Sequence, residues 1–529
     1  MLSFKIEGEN DYAETVTVEA VFGPLDSQGI SFKTRFSMKK LSLIFIFLFC
    51  FAVSAQAGEK KAILIMLDGL RSDALYSGAS PNMDSLMDGT WAEGYRGAFT
   101  YQAHTNLDAA PSSATNHVAI ATGVTAAKNK VFKNGQIKDG VYDEYPTWLQ
   151  RARKADPDLV SVWLYNWNED ANMKTDATYQ NRHGGGIAGD EKLVDETCRI
   201  LAGTFPDTEG ANGTKWTQGK DVDAIMLYLD AIDGLGHRHN FSVNSDKYFE
   251  SIPYYDTMIG KILETIKNRP NFAKEDWMIV VVSDHGGIYR THGVVGCENC
   301  YTIPLMVSGK NIKPGKMAGQ PLNCTCAAYL TQHMTGSIPE CFDGFIPETA
   351  PEVPASLENP VTDPAQVKTG QDGDFSFALW FKSNGPQNGD PALVSNKDWR
   401  SGRNPGLALA LYEEKGNAAV TLNLGDGKAR EDIRQLFYNH GEWTFFGVTA
   451  DRDGNAVLYV GTQNGRLQFI SDDISTLKTL ASSMNWHIGN DGTGAYKYPL
   501  NGETRGFQYW PAVLTEDQMN ALFTQGLAK

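Results

Sequence analysis

Lys61-Ala62-Ile63-Leu64-Ile65-Met66-Leu67-Asp68-Gly69 is the stretch that decides the fold. An unbroken apolar run that ends on an acidic residue and a glycine is the profile of a strand buried on both faces of a parallel sheet; alternation is lost because neither face meets water. The profile returns at 224–229 and at 277–282, each time followed at once by acidic residues. Between these runs lie helical patterns. Ile252, Tyr255, Ile259, Ile262 and Ile266 recur at steps of three or four and make one apolar face that stops before Pro270. Alternating strands and helices predict an α/β fold, an α/β/α sandwich around a mostly parallel sheet, whose ligands gather outside the carboxyl ends of the strands. The acidic residues fall there.

The 529 residues, 42% hydrophobic and 11% aromatic, suffice for two domains with large cores. The net charge of −16 comes without a polybasic run, which argues against binding a nucleic-acid backbone or an anionic membrane surface. A signal-peptide pattern begins at Met38-Lys39-Lys40, continues through the apolar core Leu41 to Val53, and ends in the small residues Ser54 to Ala57. Cleavage is expected before Gly58, with export to the periplasm or the extracellular space. The apolar core is too short to remain as a span, which needs about 20 residues. Residues 1–37 lack signal character and read as a non-native or mis-assigned extension, translation starting at Met38. Six cysteines follow: Cys198, Cys297, Cys300, Cys324, Cys326 and Cys341. In an exported chain disulfides are the default, while the spacings of Cys297 with Cys300 and of Cys324 with Cys326 would also suit a structural zinc.

Five prolines, Pro347, Pro351, Pro354, Pro360 and Pro364, mark a linker over 347–364 between a first domain, 58–346, and a second, 365–529. In the second, short strand patterns take over at 375–380, 407–411, 443–448 and 456–460, with turns such as Asp453-Gly454-Asn455 between them. An all-β sandwich of jelly-roll type is expected.

Six side chains suited to metals stand near the ends of the predicted strands: Asp68, Asp233, His237, Asp284, His285 and His292. Asp233 and His237 are four residues apart in what reads as a glycine-rich turn, close enough to reach one ion. Asp284 and His285 are adjacent and converge only where strand alternation breaks, which Gly286-Gly287 permits. An ordered series of this kind asks for a cavity that collects it, and two ions there could activate an oxygen nucleophile and stabilise a departing oxygen. The stretch from Pro111 to His117 offers the hydroxyls Ser112, Ser113 and Thr115, any of which could also cap a helix.

These motifs resemble the alkaline phosphatase superfamily, and within it the phosphodiesterase and nucleotide pyrophosphatase branch. The resemblance covers most of residues 60–310: Leu67-Asp68-Gly69, Ser80 to Leu86, Ser113 nine residues before Thr122-Gly123, Asp233 to His237, Ser283 to Gly286, and His292-Gly293. It implies two divalent metal ions, zinc by analogy, one held by Asp233, His237 and His292, the other by Asp68, Asp284, His285 and Ser113. His292 is the weakest assignment, since many relatives place this histidine farther downstream. The implied chemistry is in-line displacement at phosphorus through a phosphoseryl intermediate on Ser113, with Asn116 and the helix N-terminus on a non-bridging oxygen. Classical alkaline phosphatases carry a further acidic ligand where this chain has Tyr228, which turns the expectation from monoesters toward phosphodiesters or nucleotides. Sulfatases need a proline and an arginine where Thr115 and His117 stand. Monoester and phosphonate hydrolysis stay open. The second domain resembles concanavalin-like, laminin-G type jelly rolls at Phe375 to Trp380, Glu442 to Phe445, Leu458 to Gly461, Trp486 to Gly489 and Gly506 to Gln518. That implies a possible glycan ligand, and hence a reading of another class: a surface adhesion protein whose metal domain is structural.

Overall fold

In the computed structural model, which describes residues 3–7, 15–22, 30–37, 58–350, 355–368, 372–462 and 464–527, the chain divides into two units between Glu59 and Lys60. The first holds strands β1 (Ser3–Glu7), β2 (Thr15–Phe22) and β3 (Ile30–Ser37), an antiparallel meander. The expected export segment, 38–57, lies outside the described residues. Among those described, no helix is long and apolar enough to cross a membrane.

The second unit opens on the quoted run, which is β4 (Glu59–Leu67). It is followed by β5 (Arg96–His104), β6 (Ser161–Leu164), β7 (Tyr179–Asn181), and a separate ribbon of β8 (Thr208–Glu209) and β9 (Lys215–Trp216). Then come β10 (Ala224–Leu229), β11 (Glu275–Ser283), β12 (Thr302–Gly309), β13 (Gly315–Met317) and β14 (Thr349–Ala350). Nine of these form one sheet in the order β14-β13-β5-β12-β11-β4-β10-β6-β7. The run β4, β10, β6, β7 is parallel, whereas β12 is antiparallel to both β11 and β5, so the sheet is mixed. Alternate residues of β4 feed two cores. Ile63, Ile65 and Leu67 face one and Ala62, Leu64 and Met66 the other, all fully buried. This is the physical content of a run without alternation. The helix Ser251–Lys267 buries the five predicted residues Ile252, Tyr255, Ile259, Ile262 and Ile266 on the first face.

The second domain is a sandwich of two five-stranded antiparallel sheets. Its strands are β15 (Phe375–Ser383), β16 (Ala392–Ser395), β17 (Gly406–Glu414), β18 (Asn417–Gly425), β19 (Arg430–Tyr438), β20 (Trp443–Ala450), β21 (Asn455–Gly461), β22 (Leu467–Asp473), β23 (His487–Ile488) and β24 (Gly502–Trp510). The sheets run β22-β21-β20-β15-β24 and β19-β18-β17-β16-β23. Their inner faces enclose a separate core that includes Phe377, Leu409 and Leu458. The outer face of the first sheet joins the core of the metal domain: Phe469 sets its ring edge-on to Tyr76 at 5.3 Å and to Tyr101 at 6.2 Å. Ser77 donates to the Leu467 carbonyl at 2.6 Å, and Lys316 pairs with Glu516 at 2.8 Å. The proline-rich stretch is fastened as well, through β14 on β13 and through Val361 on Tyr509. Of the tryptophans, Trp510 is core, Trp443 lies under Arg505, and Trp399 donates to the Asp390 carbonyl.

The disulfide expectation is not met: all six cysteines are free thiols. Cys297 and Cys300 close a small apolar cluster with Ile288, while Cys324 and Cys326 are buried at the start of the helix Thr325–Thr335. Packing of the sulfur as a small apolar group accounts for all four.

At the opposite end of the sheet from the strand carboxyl termini, Glu275 is fully buried and accepts from Arg269 Nε and Nη2 and, at 2.8 Å, from Trp277 Nε1. Glu275→Ala leaves a buried guanidinium and an indole N–H short of partners. A loss of about 3–5 kcal/mol is expected in urea unfolding, with a smaller loss for Glu275→Gln, which keeps the geometry.

Candidate metal centre

Strands β11, β4 and β10 are neighbours in the middle of the sheet, and the candidate ligands stand just beyond their ends. Asp68 follows β4 and is tied to β10 by its N–H on the Leu229 carbonyl, 3.0 Å. Asp284 and His285 follow β11, where the strand has ended and alternation no longer holds the two side chains apart. Gly69 is required between these elements. It has φ +71°, and a Cβ there would lie 2.9 Å from Asp233 Cα.

Asp233 and His237 do not lie in a turn. They sit on the helix Ala231–His239, one turn apart on the same face, so that helical spacing makes the pair. One of the glycines that suggested a turn has another cause: a Cβ at Gly236 would fall 2.3 Å from the Phe241 ring.

The carboxylates are arranged alike. Asp284 Oδ1 accepts from the N–H groups of Gly69 (3.0 Å) and His285 (2.9 Å), and Asp68 Oδ2 accepts from the Tyr228 hydroxyl. The other oxygens, Asp284 Oδ2 and Asp68 Oδ1, together with Asp233 Oδ1, are buried and accept no hydrogen bond. Three imidazoles face them. His285 Nε2 is 3.2 Å from Asp68 Oδ1 and 3.3 Å from Asp284 Oδ2, His237 Nε2 is 3.3 Å from Asp233 Oδ2, and His292 Nε2 is 3.8 Å from Asp233 Oδ1. In each ring Nδ1 lies on a backbone carbonyl: Gly286 for His285, Arg290 for His237, Pro111 for His292, at 2.8, 2.8 and 2.9 Å. An Nδ1–H held in this way leaves the Nε2 lone pair for a metal. The rings of His285 and His292 stack at 3.7 Å.

Ser113 begins the helix Ser113–Thr122, with its Oγ 3.3 Å from His285 Nε2. Ser112 is the residue before the helix, and its hydroxyl is engaged with Thr115 at 2.9 Å. Asn116 is placed otherwise than expected. It is fully buried, its Nδ2 donates to the Ser112 carbonyl (3.1 Å), and its Oδ1 accepts from Asn106 N (3.1 Å) and Asn323 Nδ2 (2.9 Å). With its amide spent in this way, it fastens the turn behind Ser113 instead of facing a ligand. Two residues the sequence reading passed over stand closer to the chemistry. Asn134 accepts from Ala114 N–H at 3.0 Å through its Oδ1, which brings its amide beside Ser113. His117, four residues after Ser113 on the same helix, lies between two buried carboxylates: Nε2 is 3.2 Å from Asp284 Oδ2 and Nδ1 is 2.9 Å from Asp170 Oδ1. The i to i+4 spacing from Ser113 was the available signal.

Charge crowding decides the protonation of the site. Burial and then the nearby Asp284, Asp233 and Asp230 carboxylates push Asp68 well above the usual carboxylate range. Burial acts the same way on Asp284, but His285 and His117 outweigh it and hold that group low. Burial opposes charge on His117, yet Asp170 and Asp284 raise it to about 10. His292 is lowered to about 4, by burial first and by His285 second, so it is neutral as a ligand must be. The side chains fall into three overlapping groups with ligand atoms within 4.8 Å of one another: Asp233 with His237 and His292, Asp68 with His117 and Asp284, and Asp68 with Asp233 and His285. The first is the trio expected from the sequence. Buried carboxylate oxygens without hydrogen bonds, opposite imidazoles whose Nδ1 is already committed, fit divalent cations.

Residues 62–289 match the family model of type I phosphodiesterase / nucleotide pyrophosphatase, and residues 358–520 that of the concanavalin A-like lectin/glucanases superfamily. The first match stops three residues short of His292, whose place therefore rests on geometry. Among curated proteins of Schizosaccharomyces pombe, the chain is 26% identical over 291 residues to a GPI ethanolamine phosphate transferase 1, covering 49% of this chain and 28% of that one. It is 24% identical over 245 residues to an uncharacterized pyrophosphatase/phosphodiesterase, covering 43% of this chain and 45% of that one. The chain thus spans less than half the length of these relatives. Solved structures similar to it include murine ectonucleotide pyrophosphatase / phosphodiesterase 5 in complex with AMP, with 18% identity, TM-score 0.32, and 43% and 57% of the two chains covered. Another is the lipoteichoic acid synthase of Listeria monocytogenes, with 13% identity, TM-score 0.39, and 55% and 75% covered. Residues 62–289 thus form a domain of the alkaline phosphatase-like type matched by type I phosphodiesterases and nucleotide pyrophosphatases, and residues 358–520 form a concanavalin A-like domain.

Proposed function

We propose that this protein is a metal-dependent hydrolase of phosphate esters, acting on phosphodiesters or nucleotides through a phosphoseryl intermediate on Ser113, and that it works after export. One observation carries the reading: Asp68, Asp233 and Asp284 each turn an oxygen that accepts no hydrogen bond toward the Nε2 of three histidines whose Nδ1 is already tied, with the Ser113 hydroxyl at the same place and His117 beside the Asp284 oxygen. Asp233, His237 and His292 would hold one ion; Asp68, Asp284, His285 and Ser113 the other. Bound divalent ions, zinc by donor type, would supply Lewis acidity at the nucleophile and at the departing oxygen.

The chain's own residues do the rest. Ser113 Oγ attacks phosphorus, its bond to phosphorus forming as the bond to the leaving oxygen breaks, the serine proton being lost and the departing oxygen gaining one; water then displaces Ser113, restoring its hydroxyl and releasing the remaining phosphate monoester. The N-terminus of the ten-residue helix Ser113–Thr122 favours the anionic group beside it. The Asn134 amide is placed to donate to a non-bridging oxygen. Tyr228 holds one oxygen of Asp68 and His117 holds Asp284, so each fixes a carboxylate without touching substrate. Tyr228 also occupies the position where a monoesterase of this superfamily carries a further acidic ligand, which supports diesters over monoesters.

Protein starting at Gly58, assayed with an aryl phosphate diester and the matching monoester, is expected to turn over the diester faster. Activity should vanish on chelation and return with zinc. Ser113→Ala should lower kcat/KM by roughly 10³-fold or more; full activity in that variant, or in the chelated enzyme, overturns the reading. Tyr228→Phe frees one oxygen of Asp68 and is expected to weaken zinc binding by about 10-fold to 100-fold with the fold intact. The Asp233 hydrogen bond raises His237 to about 9 in the metal-free chain, against the opposing effect of burial. That proton must leave before zinc binds, so zinc affinity should rise with pH from 7 to about 9 and then level, as read by competition with a chromophoric chelator.

A further inference from the structure

The loop from Gly286 to Tyr301 carries His292 and also supplies the Arg290 carbonyl that orients His237. It is folded back on itself: Gly286 N–H meets the Cys300 carbonyl at 3.0 Å and Gly287 N–H the Asn299 carbonyl at 2.8 Å. Its apolar residues Ile288, Cys297 and Cys300 form a small cluster apart from the cores of either domain, and Phe437 of the sandwich packs against that cluster. The Phe437 ring lies 5.5 Å from the ring of Tyr289, itself held at φ +52°, and Lys415 stands over the same tyrosine at 5.2 Å.

The sandwich strand is shaped for this contact. In the β18–β19 ladder Val420 pairs with Leu436 and Thr421 with Arg434, so Gln435 is a bulged residue left out of register. It adopts φ +79°, unfavourable for a side chain of this kind, and its carbonyl accepts from Asn299 Nδ2 at 2.8 Å. A bulge that turns a carbonyl off its own ladder and onto a loop of another domain has a use there. The seam beside it is not filled: a cavity of about 290 Å³ opens between Asn240, Phe241 and Tyr289 on one side and Asn417, Phe437 and His440 on the other. The loop's own domain holds it through Arg71 Nη1 on the Gly287 carbonyl (3.0 Å) and the Phe241 N–H on the Tyr289 carbonyl (2.7 Å), and the sandwich adds Phe437 and the Gln435 carbonyl.

We infer that the β-sandwich is a working part of the metal centre, with Phe437 and the Gln435 bulge as positioning residues that keep the 286–301 loop, and hence His292 and the Arg290 carbonyl, in place to bind the ion of the Asp233 trio. This rests on the two-metal reading above. In the full chain, Phe437→Ala should weaken the weaker-bound of two zinc ions by about tenfold, the size expected when a support behind a ligand is lost. It should also speed amide hydrogen exchange in 286–301 of the metal-free protein, ahead of exchange in β4 or β11. Phe437→Leu should restore most of both. Phe469→Ala is the control: it loosens the same domain interface at Tyr76 and Tyr101, rings that do not belong to the Phe437 cluster. Unchanged zinc affinity and exchange in Phe437→Ala overturn the inference, as do equal losses in Phe469→Ala, which would make the effect one of general docking. A wild-type chain that binds no zinc sinks the metal reading and this inference with it; a wild type that binds two ions as tightly as Phe437→Ala sinks the inference alone.

Discussion

Buried negative charge is the constraint around which this molecule is organised. Asp68 and Asp284, both buried, converge with the half-buried Asp233 where β4, β10 and β11 end, and carboxylates crowded in this way favour positive charge between them. Each carboxylate has a partner outside the cluster or an imidazole across it. The Tyr228 hydroxyl binds Asp68 Oδ2 and the backbone N–H of Gly69 binds Asp284 Oδ1, which leaves Asp68 Oδ1 and Asp284 Oδ2 facing inward, the latter with His117 Nε2 3.2 Å away. Local features otherwise without a reason follow from this. Gly69 and Gly236 are glycines because the backbone and the Phe241 ring must come within a side chain's breadth of them.

The two domains of the second unit share more than a tether. A continuous apolar core runs from β4 and the helix Ser251–Lys267 to Trp380, Phe469 and Trp510 of the sandwich. The stretch between the domains is pinned at both ends by strand pairing. An interface of this kind suits a domain that sets the geometry of its neighbour. A free binding module on a flexible arm would not need its core joined to the enzyme's.

Much of the site was legible because its residues follow strong local signals. The strands at 61–67, 224–229 and 277–282 are apolar on both faces, and nothing but a buried strand of that length satisfies such a run between turn residues. The helix over Ser251–Lys267 has a period that admits one reading. The loop-like appearance of Asp233 to His237 misled, since two glycines in five residues weaken any helical signal. One of them, Gly236, is there for the Phe241 ring, and the backbone N–H of Phe241 is itself held by the Tyr289 carbonyl forty-eight residues on. The sequence reading points Asn116 at a ligand and passes over His117; one residue's step around a helix is about 100°, enough to turn the first side chain into the turn and the second onto Asp284. Cysteine pairing was read from compartment and count, and neither carries information about which sulfurs approach one another.

The sequence by itself determined the classes of the two domains, the strand ends that collect ligands, and the identity of the six metal-suited side chains and Ser113, because these depend on local periodicity and on residue chemistry. Only the tertiary structure decided which oxygen of each carboxylate is free, which imidazole nitrogen is committed, and that a bulge at Gln435, 143 positions beyond His292, reaches back to the loop carrying it. Those outcomes depend on contacts between residues far apart in the chain, and no spacing within a single segment encodes them.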